Sequence, residues 1–291
     1  MGAESTFYQQ PDGALPEQPL QPERVYASES GYSEIWRMRR EGRFRACKVL
    51  KPAFRGDPAY ESLLRKEFEL GYPLEHPNIC RILDWKQLPD LGSAIEMEWV
   101  DGCTLAQRAA RGPLPAEELR RIFSEICDAL EYIHSRQLVH RDLKPENVML
   151  THDGAHVKLL DFGLADSDGW YLHKQPAGTP GYTAPELIAG RPADARSDIY
   201  SLGVMLKELG GKPFSRVARK CTQTLPERRF QRAAQLRRAL DRRPVKMWGW
   251  LAALLLLTAV GLWLALNSGR AARRADRIFR EATELIEDAL Q

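Results

Sequence analysis

"VHRDLKPENVML", Val139–Leu150, decides how this chain is to be read. It gathers a carboxylate (Asp142), an ammonium (Lys144) and a carboxamide (Asn147) into one short loop. Just upstream, Leu119, Ile122, Phe123, Ile126, Leu130 and Ile133 recur at steps of three and four, which predicts a helix with one buried face. "PAEE", Pro115–Glu118, suits its first turn. Downstream come "LLDFG" (Leu159–Gly163), "GTPGYTAPE" (Gly178–Glu186) and "SDIYSLGVML" (Ser197–Leu206). Nearer the N-terminus, "FRACKVLK" reads as a short apolar strand, "AYESLLRKEFELGY" as a helix, and "AIEMEWV" alternates like a strand. Early strands followed by helices predict an α+β chain with two lobes of different class.

The 291 residues suffice for one large domain or two small ones. A net charge of +3 gives no global signal for nucleic acid, and none is expected as a partner. The charge is uneven: Arg228–Lys246 holds seven arginines and one lysine against the single acid Asp241. The five cysteines lack CxxC spacing, which argues against a zinc site or a disulfide framework. The first twenty residues contain no apolar run, so no signal peptide is expected. Residues 1–22, rich in proline and glutamine, read as a disordered leader.

Val139–Leu150 and the three stretches downstream of it, in their order and spacing, resemble the catalytic loop, metal-binding segment, activation-segment end and anchoring helix of eukaryotic-type serine/threonine protein kinases. The resemblance covers about Val25–Leu240. It implies a two-lobed protein-kinase fold over residues 23–240, with a β-rich N-lobe to about 99 and a helical C-lobe from about 100. It also implies transfer of the γ-phosphoryl group of ATP to protein hydroxyls, autophosphorylation included. Such a reaction has a loose transition state and is catalysed mainly by positioning and charge neutralisation. By resemblance, Asp142 accepts and orients the substrate hydroxyl, and Lys144 contacts the transferred phosphate. Asn147 and Asp161 hold magnesium, with manganese as the alternative ion, since both offer hard oxygen ligands. Lys48 holds the α- and β-phosphates, paired with Glu67 in preference to Glu69. Backbone groups of the hinge, Glu98–Val100 after Met97, bind adenine. His134 and His140 are structural, Asp198 braces the catalytic loop, and Glu186 pairs with Arg229. Lys144 and Thr179 place the chain with serine/threonine kinases, not tyrosine kinases.

Three features depart from the family pattern. With Ile35 as the apolar clamp over adenine, the glycine positions of the nucleotide loop fall on Ser28, Ser30 and Ser33, and Gly31 survives one place off. Glycine serves there by permitting φ > 0 and close backbone approach. Serine is a small replacement that can itself donate to phosphate. The expectation is a weakened lid over an intact catalytic set. Second, few residues separate "SLGVMLKELGG" from "RVARKCTQTLPERRF", where the family carries a loop and another helix that help dock protein substrates. Third, Ser167 and Tyr171 are the only hydroxyls between Gly163 and Gly178, so Arg141 lacks a clear phosphate partner. The serine loop and shortened C-lobe leave a rival reading, a pseudokinase or nucleotide-sensing scaffold.

The run Trp248–Leu266, "WGWLAALLLLTAVGLWLAL", has no charged residue. At about 1.5 Å per residue it reaches roughly 29 Å, close to a bilayer core of about 30 Å. It reads as one transmembrane helix with Trp248, Trp250 and Trp263 as interface anchors. Arginines are denser before it, which puts the kinase domain in the cytoplasm and the tail outside the cytoplasmic membrane. Residues 241–247 form a basic juxtamembrane segment suited to anionic lipid headgroups. The tail, 267–291, carries an apolar stripe of Ile278, Ala282, Leu285 and Ala289 that suits either a homodimer or the membrane boundary.

Overall fold

The computed structural model describes residues 22–27, 31–152, 156–161, 181–241, 254–265, 267 and 276–283. The chain forms two units, residues 1–241 and 242–291.

In the first unit, five antiparallel strands make a sheet of order β1-β2-β3-β5-β4. They are β1 (Glu23–Ala27), β2 (Ser33–Arg40), β3 (Arg43–Leu50), β4 (Ile82–Leu88) and β5 (Gly92–Glu98). Side chains alternate across a strand, so β3 serves two cores. Cys47 and Val49 pack with Leu88, Leu91 and Ala94 on one face. Leu50 packs with Leu64, Ile82 and Ile95 on the other. The central lysine of β3, Lys48, shares the second face. That face is covered by α1 (Pro58–Gly71), whose first turn is closed by Asp57 accepting from the Ala59 amide and by Pro58.

The helical lobe is built around α3 (Ala116–Ser135). Its predicted stripe, Leu119 to Ile133, is buried throughout and forms the centre of the largest core. Glu117 and Glu118 sit in the first turn, where the helix dipole favours acids. Before it lie β6 (Gly102–Thr104) and α2 (Leu105–Ala110), the latter held by a capping box between Thr104 and Gln107. After it, β7 (Val148–Thr151) pairs with β6 and with β8 (Val157–Leu159). The unit closes with α4 (Pro185–Ile188), α5 (Ala195–Cys221) and α6 (Ala233–Asp241).

The shortened stretch of the C-lobe is a turn of one residue. Helix α5 breaks at Gly211, whose φ of 57° and ψ of −148° fall where only glycine is at ease. The second half then folds back on the first, so that a Cβ on Gly203 would collide with Cys221 Cβ and press on Thr222 and Ala218. Gly203→Ala is therefore expected to lower stability by about 1–3 kcal/mol, as overpacking does. Urea unfolding of the purified variant checks this, and an unchanged midpoint would contradict the close approach. The five cysteines are buried and none forms a disulfide.

In the second unit, residues 254–265 and 276–283 are helical and exposed. Among the described residues no helix is long and apolar enough to cross a membrane. Residues 248–253 and Leu266, which complete the apolar run, lie outside the described set, as do Leu285 and Ala289 of the tail stripe.

Candidate active site

The sheet register sets one edge of the site. Lys48 stands opposite Ile35 of β2 and Ile95 of β5. From that position its Nζ donates to Glu67 Oε1 at 2.6 Å, across the gap to α1, and to Asp161 Oδ1 at 2.9 Å. Glu69, the alternative partner weighed from the sequence, faces outward and pairs with Arg65. Two residues along a helix turn it through about 200°, so Glu67 and Glu69 cannot both face the sheet. Burial works against the charge on Lys48, but Asp161 and Glu67 outweigh it and hold its pKa above the ordinary lysine value. Burial pushes the Glu67 carboxyl up to about 7, against the pull of Lys48.

The loop between α3 and β7 supplies the other edge. Asp142 Oδ2 accepts from Lys144 Nζ at 2.8 Å and from Asn147 Nδ2 at 3.0 Å. Asn147 Nδ2 also donates to the Asp142 carbonyl at 2.8 Å. With its nitrogen so used, the Asn147 side-chain oxygen is the atom that can ligate a cation.

Asp198 of α5, fully buried, holds this loop in place. It accepts from the His140 and Arg141 amides at 2.9 and 2.8 Å and lies 2.8 Å from His134 Nε2. Burial raises the Asp198 pKa, but His134, His140 and the Arg141 amide more than offset that and hold it below the usual carboxylate range. Arg141 and Asp161 have positive φ, 68° and 64°. Such strain at non-glycine residues persists where the surroundings over-determine it. His140 does so here through its ring, whose Nε2 lies 3.0 Å from the Leu160 carbonyl.

The segment carrying Asp161 is stitched from both sides. The Leu160 amide donates to Asn147 O at 2.9 Å, which sets the two candidate metal ligands side by side. The Leu159 amide donates to Asn78 O, and the Cys80 amide donates to Leu159 O. Asn78 Nδ2 in turn bonds Glu125 Oε2 of α3 at 2.9 Å, and the Val157 amide bonds the same oxygen at 2.8 Å. Asn78 and Glu125 were not foreseen as site supports; their partners lie tens of residues away along the chain.

The donor set fits a hard divalent cation. Asp161 is 38% exposed and offers carboxylate oxygen near the Asn147 amide. Among the described residues no group of three His, Cys, Asp or Glu side chains forms a cage. Magnesium usually takes one or two protein carboxylates plus substrate phosphates, so a sparse set suits it better than a full shell would.

At the hinge, the Glu98 side chain is already engaged, accepting from Lys158 Nζ at 2.7 Å and from the Arg81 amide at 2.9 Å. The Glu98 amide donates to Arg81 O. Any role of Glu98 toward adenine therefore falls to its carbonyl, beside Val100. In the nucleotide loop, Gly31 and Tyr32 lead into Ser33, the first residue of β2, while Ser28 and Ser30 lie outside the described residues. Phe162, Gly163, Ser167, Tyr171 and Thr179 also lie outside them.

The arrangement is a lysine–carboxylate pair facing a carboxylate–lysine–amide loop across a cleft. The family model described as "Protein kinase domain" matches residues 30–290. The chain belongs to the protein kinase family. Among curated relatives of this kinase, the serine/threonine-protein kinase PknB of Mycobacterium leprae is 36% identical over 179 residues, 58% of this chain and 29% of that protein. The serine/threonine-protein kinase PrkC of Bacillus subtilis is 37% identical over 175 residues, 58% of this chain and 27% of that protein. The matched stretch thus spans under a third of either relative. The crystal structure of the Mycobacterium tuberculosis PknI kinase domain superposes with a TM-score of 0.62 at 28% identity, covering 75% of this chain and 93% of that one. The fold of this kinase is the two-lobed one of that domain, and its relatives are of the serine/threonine class.

Proposed function

We propose that the chain is an active serine/threonine protein kinase, anchored in the cytoplasmic membrane, that moves the γ-phosphoryl group of ATP to protein hydroxyls. The observation that carries this is the double engagement of Lys48, at 2.6 Å from Glu67 and 2.9 Å from Asp161. That contact joins the N-lobe lysine to the candidate metal ligand. It is the geometry in which phosphates, metal and catalytic loop can meet.

In this reading Lys48 grips the α- and β-phosphates, and Glu67 holds it in place. Asp142 orients the substrate hydroxyl and accepts its proton, with Lys144 beside it to offset charge on the transferred phosphoryl. Asn147 and Asp161 would hold magnesium or manganese, which supplies charge neutralisation on the phosphate oxygens. Ile35 packs over adenine, and the carbonyl of Glu98 with the backbone of Val100 bonds its edge. Ser28, Ser30, Gly31 and Ser33 cover the phosphates.

Anchoring rests on the uncharged run 248–266 and on exposed Leu254, Leu255, Leu256 and Leu257, with the basic residues before it drawn to anionic lipid. Exposed Ile278 and Phe279 of the tail suit pairing with a second copy in the same membrane.

The test uses the full chain in native membranes with γ-labelled ATP, magnesium and a generic protein substrate. Label is expected on serine or threonine of the substrate and on the kinase itself. Bound ATP without any transfer would favour the nucleotide-sensing scaffold instead. The protein is expected to stay with the membrane after alkaline carbonate extraction, and full release would remove the anchor. Cross-linking in those membranes that yields monomer alone would remove the pairing.

A further inference from the structure

The nucleotide loop leads into β2 through an aromatic residue, Tyr32. Tyr32 follows Gly31 directly, and its carbonyl is pinned by the Lys51 amide at 2.9 Å. Its ring turns inward. It packs against the cluster of Leu50, Leu64, Ile82 and Ile95, the face of the sheet that Lys48 shares. Tyr60 of α1 lies 5.7 Å from it, centroid to centroid, and itself packs at a tilt against Phe54 at 4.4 Å. The Tyr32 hydroxyl is close enough to the charged centre for Glu67, Lys48 and Asp161 all to act on it. Burial first, and then Glu67, raises its pKa.

Lys48 is only 5% exposed. A lysine that grips two phosphates has to be reached by them, so whatever seals it must move. Two of the described side chains that act on it lie outside strands and helices, Asp161 and Tyr32. Asp161 is the candidate cation ligand and has to stay, which leaves Tyr32 as the one that can swing away.

We propose that Tyr32 is a self-blocking group, its ring occupying the approach to Lys48 and swinging out before nucleotide phosphates can bind. This rests on the nucleotide-site reading above. It adds that the resting protein binds ATP with a penalty set by the fraction in which the ring is out. Adenosine, which has no phosphates to place beside Lys48, does not meet that penalty.

The experiment is calorimetric titration of the full chain in detergent with MgATP and, separately, with adenosine, for wild type, Tyr32→Ala and Tyr60→Leu. If the open form is about a tenth of the population or less, Tyr32→Ala should lower the Kd for MgATP about tenfold or more. The Kd for adenosine should stay within about twofold, since only the phosphate arm pays the population factor. Tyr60→Leu removes the ring partner and should shift MgATP in the same direction by less. It also carries the test if Tyr32→Ala fails to fold. An unchanged or weaker MgATP affinity overturns the proposal while leaving the kinase reading intact, provided the wild type still transfers phosphate. Equal tightening of MgATP and adenosine overturns it too, because the ring would then act on the base. No MgATP binding in any form would overturn the nucleotide site itself, and the proposal with it.

Discussion

Asp142→Asn should lower phosphotransfer by about 10²–10⁴-fold, the range typical of losing a positioned general base. Asp161→Asn should have a comparable effect by a different route, since it weakens the grip on the cation and on Lys48 together. The two variants separate in their binding. The Asp142 carboxylate bonds Lys144 and Asn147 within its own loop, so its variant should bind MgATP nearly as wild type does. Asp161 contacts Lys48, so its variant should bind more weakly. Both should fold, because the amide is close in shape to the carboxylate and its oxygen can still accept hydrogen bonds. Initial rates with labelled ATP, beside circular dichroism of each variant, decide the matter. Retention of more than about a tenth of wild-type activity by Asp142→Asn would show that it is not the base.

Arg229→Met is expected to be the most destabilising single change in the helical lobe. The Arg229 side chain is fully buried. Its guanidinium makes two bonds of 2.7 Å to Glu186 and three more to the carbonyls of Gln223, Arg196 and Thr224. Methionine would leave Glu186 as a lone buried charge and three carbonyls without their donor. Breaking one side of a buried pair costs about 3–5 kcal/mol, against a total stability of about 5–15 kcal/mol for a domain. Thermal unfolding should show a large fall, and a Tm close to wild type would refute the role of this pair.

The pH dependence follows the same contact. Burial would raise the Glu186 pKa, but Arg229 and Ser197 hold it below the usual carboxylate value. A depressed folded-state pKa contributes stability above the unfolded value, about 4.3, and loses it as pH falls through the folded value. Wild type should therefore lose stability on acidification below about pH 4.3, and the double variant Glu186→Gln/Arg229→Met should lose less over that window. Parallel slopes in the two proteins would assign the acid transition to other carboxylates, such as Asp198.

The parts of this molecule legible in the sequence are those in which chemistry is packed into short runs. Asp142, Lys144 and Asn147 lie within one loop, and their contacts with one another are local. The stripe on α3 was readable because helical periodicity reports which side chains face inward. Periodicity does not report which faces meet. Nothing near Asn78 points to Glu125 or to β8, and nothing in "LGGK" says that the helix doubles back tightly enough to exclude a Cβ at Gly203. The serine-substituted loop stands out in the sequence by its missing glycines. Local spacing does not report that the Tyr32 ring meets Tyr60 and the cluster of Leu50, Leu64, Ile82 and Ile95.

The one-residue break at Gly211 bears on how such an enzyme would choose among proteins. Doubling back at once leaves no length of chain from which a separate platform could grow on that flank of the lobe. A partner that touches the lobe at this point meets a tight reverse turn and no added helix. Discrimination would then fall to the few side chains lining the mouth of the cleft, and to how long a candidate lingers nearby. A kinase fixed to a surface has a remedy that a diffusing one lacks, because confinement raises the local concentration of anything tethered beside it. Its choice of target would be written less in the target's sequence than in its address.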